Sequence, residues 1–179
     1  MSDRDHLQTL LDRAAISDVL HVYATGLDAQ DWALWRSAFV ERIVFDLSSV
    51  TGKAPVETAV EQQVEFVRTQ FAGFDATQHM ITNHRHTIEG DRARVVAHMR
   101  AEHWVTFDED DLVRLDQRGD GPAGGDRYSM FGYYDDKLVR TAEGWKLVAV
   151  QLKLTRTEGN PHVMSYAWRK GKRRLGTGA

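Results

Sequence analysis

An aspartate and a histidine are the residue types in this chain that could share the work of removing a proton from carbon. Asp28 follows Leu20 and Ala24 at four-residue spacing, so a carboxylate ends an apolar row of a predicted helix. A carboxylate beside buried surface must find a partner or lose its charge. His79 is a suitable partner, because a carboxylate can fix the tautomer of an imidazole that then acts as a base. The alternative is that Asp28 merely ends its helix.

A second histidine, His103, depends on strand register for its place. Gly90-Asp91 predicts a two-residue hairpin turn, and the register that follows from it places Glu102 opposite His79. One extra residue in a bulge would place His103 opposite His79 instead. Apolar alternation does not decide between the two pairings. His103 is therefore a candidate pocket residue that could act as the acid assisting a leaving group.

The elements that must position these residues fall into two halves. Apolar periodicity predicts helices that begin near Leu7, at Asp31 and at Pro55, with a short strand at 43–45. The second half alternates as four strands, joined by hairpin turns at Gly90-Asp91 and Glu143-Gly144. The sequence thus predicts an α+β fold, in which N-terminal helices pack on a strongly curved antiparallel sheet. The acidic, glycine-rich residues 108–125 are interpreted as a loop or lid.

The composition fits a single globular domain. The chain has 179 residues, of which 42% are hydrophobic and 27% charged, and it contains no cysteine, which excludes disulfides and thiolate chemistry. No apolar run is long enough to span a membrane, and the N-terminal residues lack signal-peptide character, so we expect a cytoplasmic protein. We predict one domain over residues 1–160 and a C-terminal extension over residues 161–179.

The net charge of −3 hides an asymmetry between the body and the C-terminus. Five of the 23 basic residues lie in the last eleven positions: Arg169, Lys170, Lys172, Arg173 and Arg174. The remaining chain carries 18 basic and 26 acidic residues (23 − 5 = 18), which disfavours phosphate binding, and we predict no nucleic-acid partner. The basic tail is interpreted as a solvated end of the chain.

Several motifs resemble the SnoaL-like branch of the NTF2-like superfamily over roughly residues 5–160. They are Tyr23-Ala-Thr-Gly-Leu-Asp28-Ala-Gln-Asp31-Trp32 after an Arg-Ala-Ala-Ile-Ser-Asp segment, Thr77-Gln78-His79-Met80, and Gly144-Trp145-Lys146-Leu147. Within that superfamily the chain is most similar to scytalone dehydratase, the bile-acid dehydratase and hexachlorocyclohexane dehydrochlorinase. The resemblance implies a cofactor-free enzyme that eliminates water or HCl from a cyclic substrate, with an Asp–His pair inside a cone of helices and a bent sheet.

The resemblance also implies roles for individual residues. Asp28 matches the aspartate of that pair and His79 the histidine, while Tyr23 matches a pocket tyrosine of the bile-acid enzyme. His103 approximately matches a second active-site histidine of scytalone dehydratase. Leu47 stands where that enzyme has a pocket tyrosine, which implies that the substrate of this chain differs.

Further residues are candidates for the walls of a pocket. The predicted substrate-binding residues are Trp35, Leu47, Tyr128, Tyr133 and Arg156. The tyrosines could donate hydrogen bonds to a carbonyl that develops enolate charge, and the arginine could bind an anionic group. His84 and His86 are two residues apart on one strand, a spacing that can bind a metal, and His98 of the next strand is a third candidate ligand. No acidic ligand completes such a site. We therefore predict no metal, and the resemblance implies that no cofactor is needed.

Taken together, the sequence predicts a cofactor-independent lyase or isomerase that acts on a hydrophobic cyclic or polyketide-like small molecule. His79 would remove the proton, Asp28 would orient it, and Tyr23 would bind a substrate oxygen or the leaving group. One alternative is a polyketide cyclase or a steroid-type isomerase on the same fold. Another is a non-catalytic small-molecule-binding or assembly subunit. We expect a homo-oligomer, either a dimer or a trimer, and no membrane partner.

Overall fold

The computed structural model describes residues 2–108 and 125–177, in which helices precede most of a six-stranded sheet. In chain order the elements are α1 (Asp3–Asp28), α2 (Trp32–Ser37), β1 (Phe39–Asp46), α3 (Ser48–Thr51), β2 (Val56–Ala59), α4 (Val60–Phe71), β3 (Ala76–Glu89), β4 (Arg92–Trp104), β5 (Arg127–Thr141), β6 (Gly144–Gly159) and α5 (His162–Leu175). This order confirms the predicted α+β class. The loop predicted over residues 108–125 lies outside the described residues except at its two ends.

The strands form one open, mixed sheet in the order β2-β1-β6-β5-β4-β3. The last four strands make the predicted antiparallel meander, whereas β1 pairs in parallel with β6, with Val44 next to Ala149. Sequence patterns missed the parallel pair, because it joins strands separated by most of the chain and no turn signal marks it. Bulges interrupt the ladders β1–β6, β3–β4 and β5–β6, and such bulges bend a sheet.

The third predicted helix begins later than expected. Residues 56–59 form the edge strand β2, with Arg42 of β1 opposite Ala59, and α4 begins only at Val60. Pairing with β1 satisfies the backbone groups of this segment, which the helical pattern alone could not foresee. The apolar row of the helix is retained, since Val60, Val67 and Phe71 are all buried.

The hairpin between β3 and β4 turns at Gly90 as predicted, but a bulge changes its register farther along. Between Thr82 and Arg85, β3 contains one more residue than the facing part of β4, and Asn83 there adopts a φ of 56°. Asparagine is one of the few non-glycine residues that tolerate this backbone conformation. The extra residue therefore lies in β3, not in β4.

The C-terminal helix α5 packs into the body of the protein. Val163, Tyr166 and Ala167 are at most 1% exposed and belong to the same hydrophobic core as the helices and the sheet. Two of the tail's basic residues face an acid of the body: Lys170 and Arg174 bind Asp75 at 2.7 and 2.9 Å. The basic end is therefore solvated at exposed residues such as Arg169, but not at Lys170, whose side chain is 13% exposed.

Close backbone contact between the segment that follows α4 and helix α5 provides a test of this docking. A Cβ atom on Gly73 would lie 1.7 Å from the carbonyl oxygen of Ala167, so Gly73→Ala should force the two segments apart. We expect it to lower the free energy of unfolding by about 2 kcal/mol in urea titrations. Arg169→Ala is the control, because Arg169 is exposed on the same helix and alanine keeps the helical backbone. Equal stability of the two variants would contradict the docking of α5.

Among the described residues, no helix is long and apolar enough to cross a membrane.

Candidate active site

Asp28 and His79 meet where the end of α1 faces the beginning of β3. The Oδ1 atom of Asp28 lies 2.6 Å from Nδ1 of His79, and Oδ2 accepts a hydrogen bond from the backbone N–H of His79 at 2.7 Å. The Thr77 hydroxyl donates a third bond to Oδ1 at 2.9 Å. Because an ionised carboxylate only accepts, Nδ1 of His79 must carry a proton, and in the neutral imidazole Nε2 then has the lone pair. The arrangement gives His79 the tautomer of a base.

The electrostatics of the pair keep Asp28 ionised. Burial alone would raise the pKa of Asp28, but hydrogen bonds from His79 and Thr77, together with the charge of His79, lower it below its ordinary value. The two side chains are 5% (His79) and 25% (Asp28) exposed. The pair is thus largely withdrawn from water but not sealed.

Aromatic rings surround the His79 imidazole. Phe71 stacks on it with ring centroids 5.9 Å apart, and His103 meets it edge-on at 5.5 Å. Phe74 in turn packs against His103 at 5.0 Å. These rings make the neighbourhood of the base apolar, which suits a hydrophobic substrate.

His103 reaches His79 by a register that differs from both predictions. Thr77 lies opposite His103 and His79 opposite Ala101, so neither Glu102 nor His103 faces His79 directly. Residues two apart on a strand share a face, and the two imidazoles therefore become diagonal neighbours. The physical reason is the bulge in β3, which shifts the ladder in the direction opposite to the one considered.

His103 is poised as an acceptor and not as an acid. Its Nδ1 lies 3.2 Å from the carbonyl oxygen of Tyr128, which can only accept, so Nδ1 carries the proton and Nε2 a lone pair. Burial, and then the charge of His79, lower the pKa of His103 to about 4. The imidazole is therefore neutral near pH 7, which weakens the predicted role as the acid that assists a leaving group.

Tyr23 lies on the side of α1 that faces the sheet, in contact with a tyrosine that the sequence did not single out. Its ring packs at 5.6 Å from Tyr134 of β5, which is 4% exposed. Burial raises the pKa of Tyr23, and it also raises that of Tyr134, with further contributions from the charges of Tyr23, Asp136 and Asp28. Both hydroxyls therefore remain protonated, and that of Tyr134 donates a hydrogen bond to that of Tyr23.

Tyr133, the adjacent residue, points to the other side of the sheet. Its ring lies 5.7 Å from Nζ of Lys153, on the face that carries the Arg94–Asp135 ion pair. Neighbouring residues of a strand face opposite sides, so Tyr134 contacts Tyr23 while Tyr133, the predicted wall residue, lies on the outer face. Only the register of β5 could have identified Tyr134.

The other predicted wall residues differ in their relation to the pair. Trp35 is fully buried and packs among aromatic core residues, so it has no surface to offer a substrate. Leu47 is partly buried against the core, and so is Tyr128, which lies opposite His103. The Arg156 side chain is 72% exposed and binds Glu158, and the structure does not bring it to the pair.

The predicted histidine cluster on β3 has a polar partner of its own. The Ser17 hydroxyl lies 2.8 Å from Nδ1 of His84 and 3.0 Å from Nε2 of His86. His98 contacts Asn83 instead. Across residues 2–108 and 125–177, no group of three or more histidine, aspartate or glutamate side chains is arranged to hold a metal ion.

The sequence matches the SnoaL-like domain family over residues 8–151. The chain belongs to this family. Among solved structures, the Kfla4162 protein from Kribbella flavida is 36% identical, with a TM-score of 0.75 over 88% of this chain and 99% of that one. No curated protein matches the sequence.

Two further structures show the range of activities named on this fold. A protein from Novosphingobium aromaticivorans, provisionally named an aromatic ring hydroxylase, is 26% identical with a TM-score of 0.67, over 88% of this chain and 97% of that one. A hexachlorocyclohexane dehydrochlorinase from Novosphingobium barchaimii is 15% identical with a TM-score of 0.65, over 88% and 94%. The predicted SnoaL-like resemblance is confirmed, and at this identity the dehydrochlorinase shows the fold alone.

Proposed function

We propose that this SnoaL-like protein is a cofactor-independent lyase that eliminates water or a hydrogen halide from a hydrophobic cyclic molecule. The observation that carries the proposal is the 2.6 Å contact between Asp28 and Nδ1 of His79, which in the neutral imidazole leaves the lone pair on Nε2, while Phe71 stacks on the ring. An imidazole held by a carboxylate behind it is suited to the removal of a carbon-bound proton.

The reaction can be written without a co-reactant. Nε2 of His79 takes the proton from carbon, the C–H electron pair becomes the new double bond, and the bond to the leaving group breaks with its electrons. Asp28 stabilises the resulting imidazolium. The imidazolium then returns its proton to the departing oxygen, so that water leaves. Because His103 is neutral, one histidine acts first as base and then as acid.

Tyr23 and Tyr134 supply the second part of the proposed mechanism. Both are protonated, and the Tyr134 hydroxyl donates to that of Tyr23, whose own proton stays available to a substrate. A phenol that donates to a substrate carbonyl or to the leaving oxygen stabilises the charge that develops as the proton is removed. A binding or assembly subunit has no use for such a set, which favours an enzyme.

The test is a substrate panel followed by proton NMR in D2O. The panel contains cyclic β-hydroxy ketones and halogenated cyclohexanes, and the signal is loss of the C–H resonance with appearance of an alkene. We expect turnover by the wild type and a loss of at least ~100-fold in His79→Ala. His98→Ala is the matched control, since this histidine is exposed and its side chain makes a hydrogen bond to Asn83, away from the Asp28–His79 pair.

Three results would count against the proposal. Full turnover by His79→Ala would remove the base from the mechanism. Rearranged or cyclised products without elimination would assign the pair to an isomerase or a cyclase. Saturable ligand binding without any chemical change would favour a binding subunit.

A further inference from the structure

The first half of α1 carries a second apolar row that faces away from the core. Leu7, Leu10 and Leu11 are 58%, 61% and 55% exposed, and Ala14 is exposed as well. Their spacing of three, four and seven residues places them on one side of a helix. We call these four residues the outer stripe.

The helix presents this stripe rigidly, because its other side is anchored. Asp12 is 6% exposed, and its carboxylate accepts bonds from the Arg140 guanidinium at 2.7 and 2.8 Å and from Nε1 of Trp145 at 3.2 Å. Single exposed leucines are ordinary on a protein surface, whereas three adjacent ones on a fixed helix mark an interaction site.

Opposite charges stand at the two ends of the stripe. Arg4 precedes Leu7 by one helical turn and Asp18 follows Ala14 by one turn, and both are exposed. A two-fold axis that pairs two copies of α1 in antiparallel fashion places Arg4 of each copy near Asp18 of the other. The same operation brings the two sets of leucines together. The stripe is therefore complementary to itself.

We propose that the outer stripe docks a second copy of this chain as an antiparallel α1–α1 pair. A helix pair of this length is smaller than the ~800 Å² per partner of a standard interface, so the dimer should depend on concentration. Asp28 lies at the opposite end of α1, ~21 Å beyond Ala14 along the helix. The dimer thus leaves the Asp28–His79 pair accessible, and this inference stands independently of the proposed lyase activity.

Charge reversal gives the sharpest experiment, with sedimentation equilibrium of the full chain from micromolar to submillimolar concentration as the readout. We expect Arg4→Glu and Asp18→Arg, each alone, to raise the dimer Kd by about tenfold, since like charges then face each other. The double variant should return to near the wild-type Kd. Leu10→Glu should abolish the dimer.

Val56→Gln is the matched control, because Val56 is 57% exposed but lies on the edge strand β2. Circular dichroism should show that every variant is folded. A wild-type chain that stays monomeric, a dimer unaffected by Leu10→Glu, or a double charge variant that does not recover would overturn the proposal. So would a monomer that binds lipid vesicles through the stripe.

Discussion

Asp28→Asn is expected to reduce kcat for elimination by ~10²–10⁴-fold with little change in KM. The reason lies in the two oxygens of the carboxylate. Oδ2 accepts from the backbone N–H of His79, which can only donate, so the amide oxygen of the asparagine must take that place. The amide N–H₂ then faces Nδ1 of His79, which has to accept. The proton of the ring consequently moves to Nε2. His79 then has no lone pair to offer the substrate, although its contacts with residue 28 remain.

Thr77→Val is the control for this prediction. It removes one hydrogen bond from the same carboxylate but leaves the tautomer of His79 unchanged. We expect a loss of at most ~10-fold, because the carboxylate keeps both of its hydrogen bonds to His79. Initial rates across pH should show that Asp28→Asn lowers the plateau of kcat. A near wild-type kcat in Asp28→Asn would rule out the orienting role of the aspartate.

The second large effect concerns stability in acid. The pKa of His103 is lowered from 6.5 to about 4 in the folded protein. Between these two values the imidazole is protonated in the unfolded chain but not in the folded one. The contribution of neutral His103 to the free energy of unfolding is therefore fully present above pH 6.5 and is lost as the pH falls toward 4. We expect a loss of about 2–3 kcal/mol between pH 7.5 and 4.5 from this residue, measured by urea unfolding.

His103→Gln should flatten that dependence, because glutamine can still donate to the carbonyl of Tyr128 but does not titrate. Some slope will remain, since burial also lowers the pKa of His84 and His86. His98→Gln, at an exposed position, serves as the control substitution. If wild type and His103→Gln lose equal stability over this range, burial of a neutral His103 is not what makes the protein sensitive to acid.

Local signals in the sequence were sufficient for much of the fold. Asp31 caps α2 as predicted, with its carboxylate accepting from the N–H of Leu34, and Gly90 turns the β3–β4 hairpin. The SnoaL-like motifs indicated that Asp28 and His79 would meet, although they are 51 residues apart. These features depend on neighbouring residues or on a pattern shared with known proteins.

Other features were decided only by contacts between distant parts of the chain. The parallel pairing of β1 with β6 requires a partner that no short window of sequence contains, and so does the strand β2 in place of a helical turn. Register is the clearest case: the bulge at Asn83 sets which residue faces His79, and the register of β5 points Tyr134 inward and Tyr133 outward. Because side chains alternate across a strand, a shift of one residue exchanges the two faces, and packing of the whole sheet determines that shift.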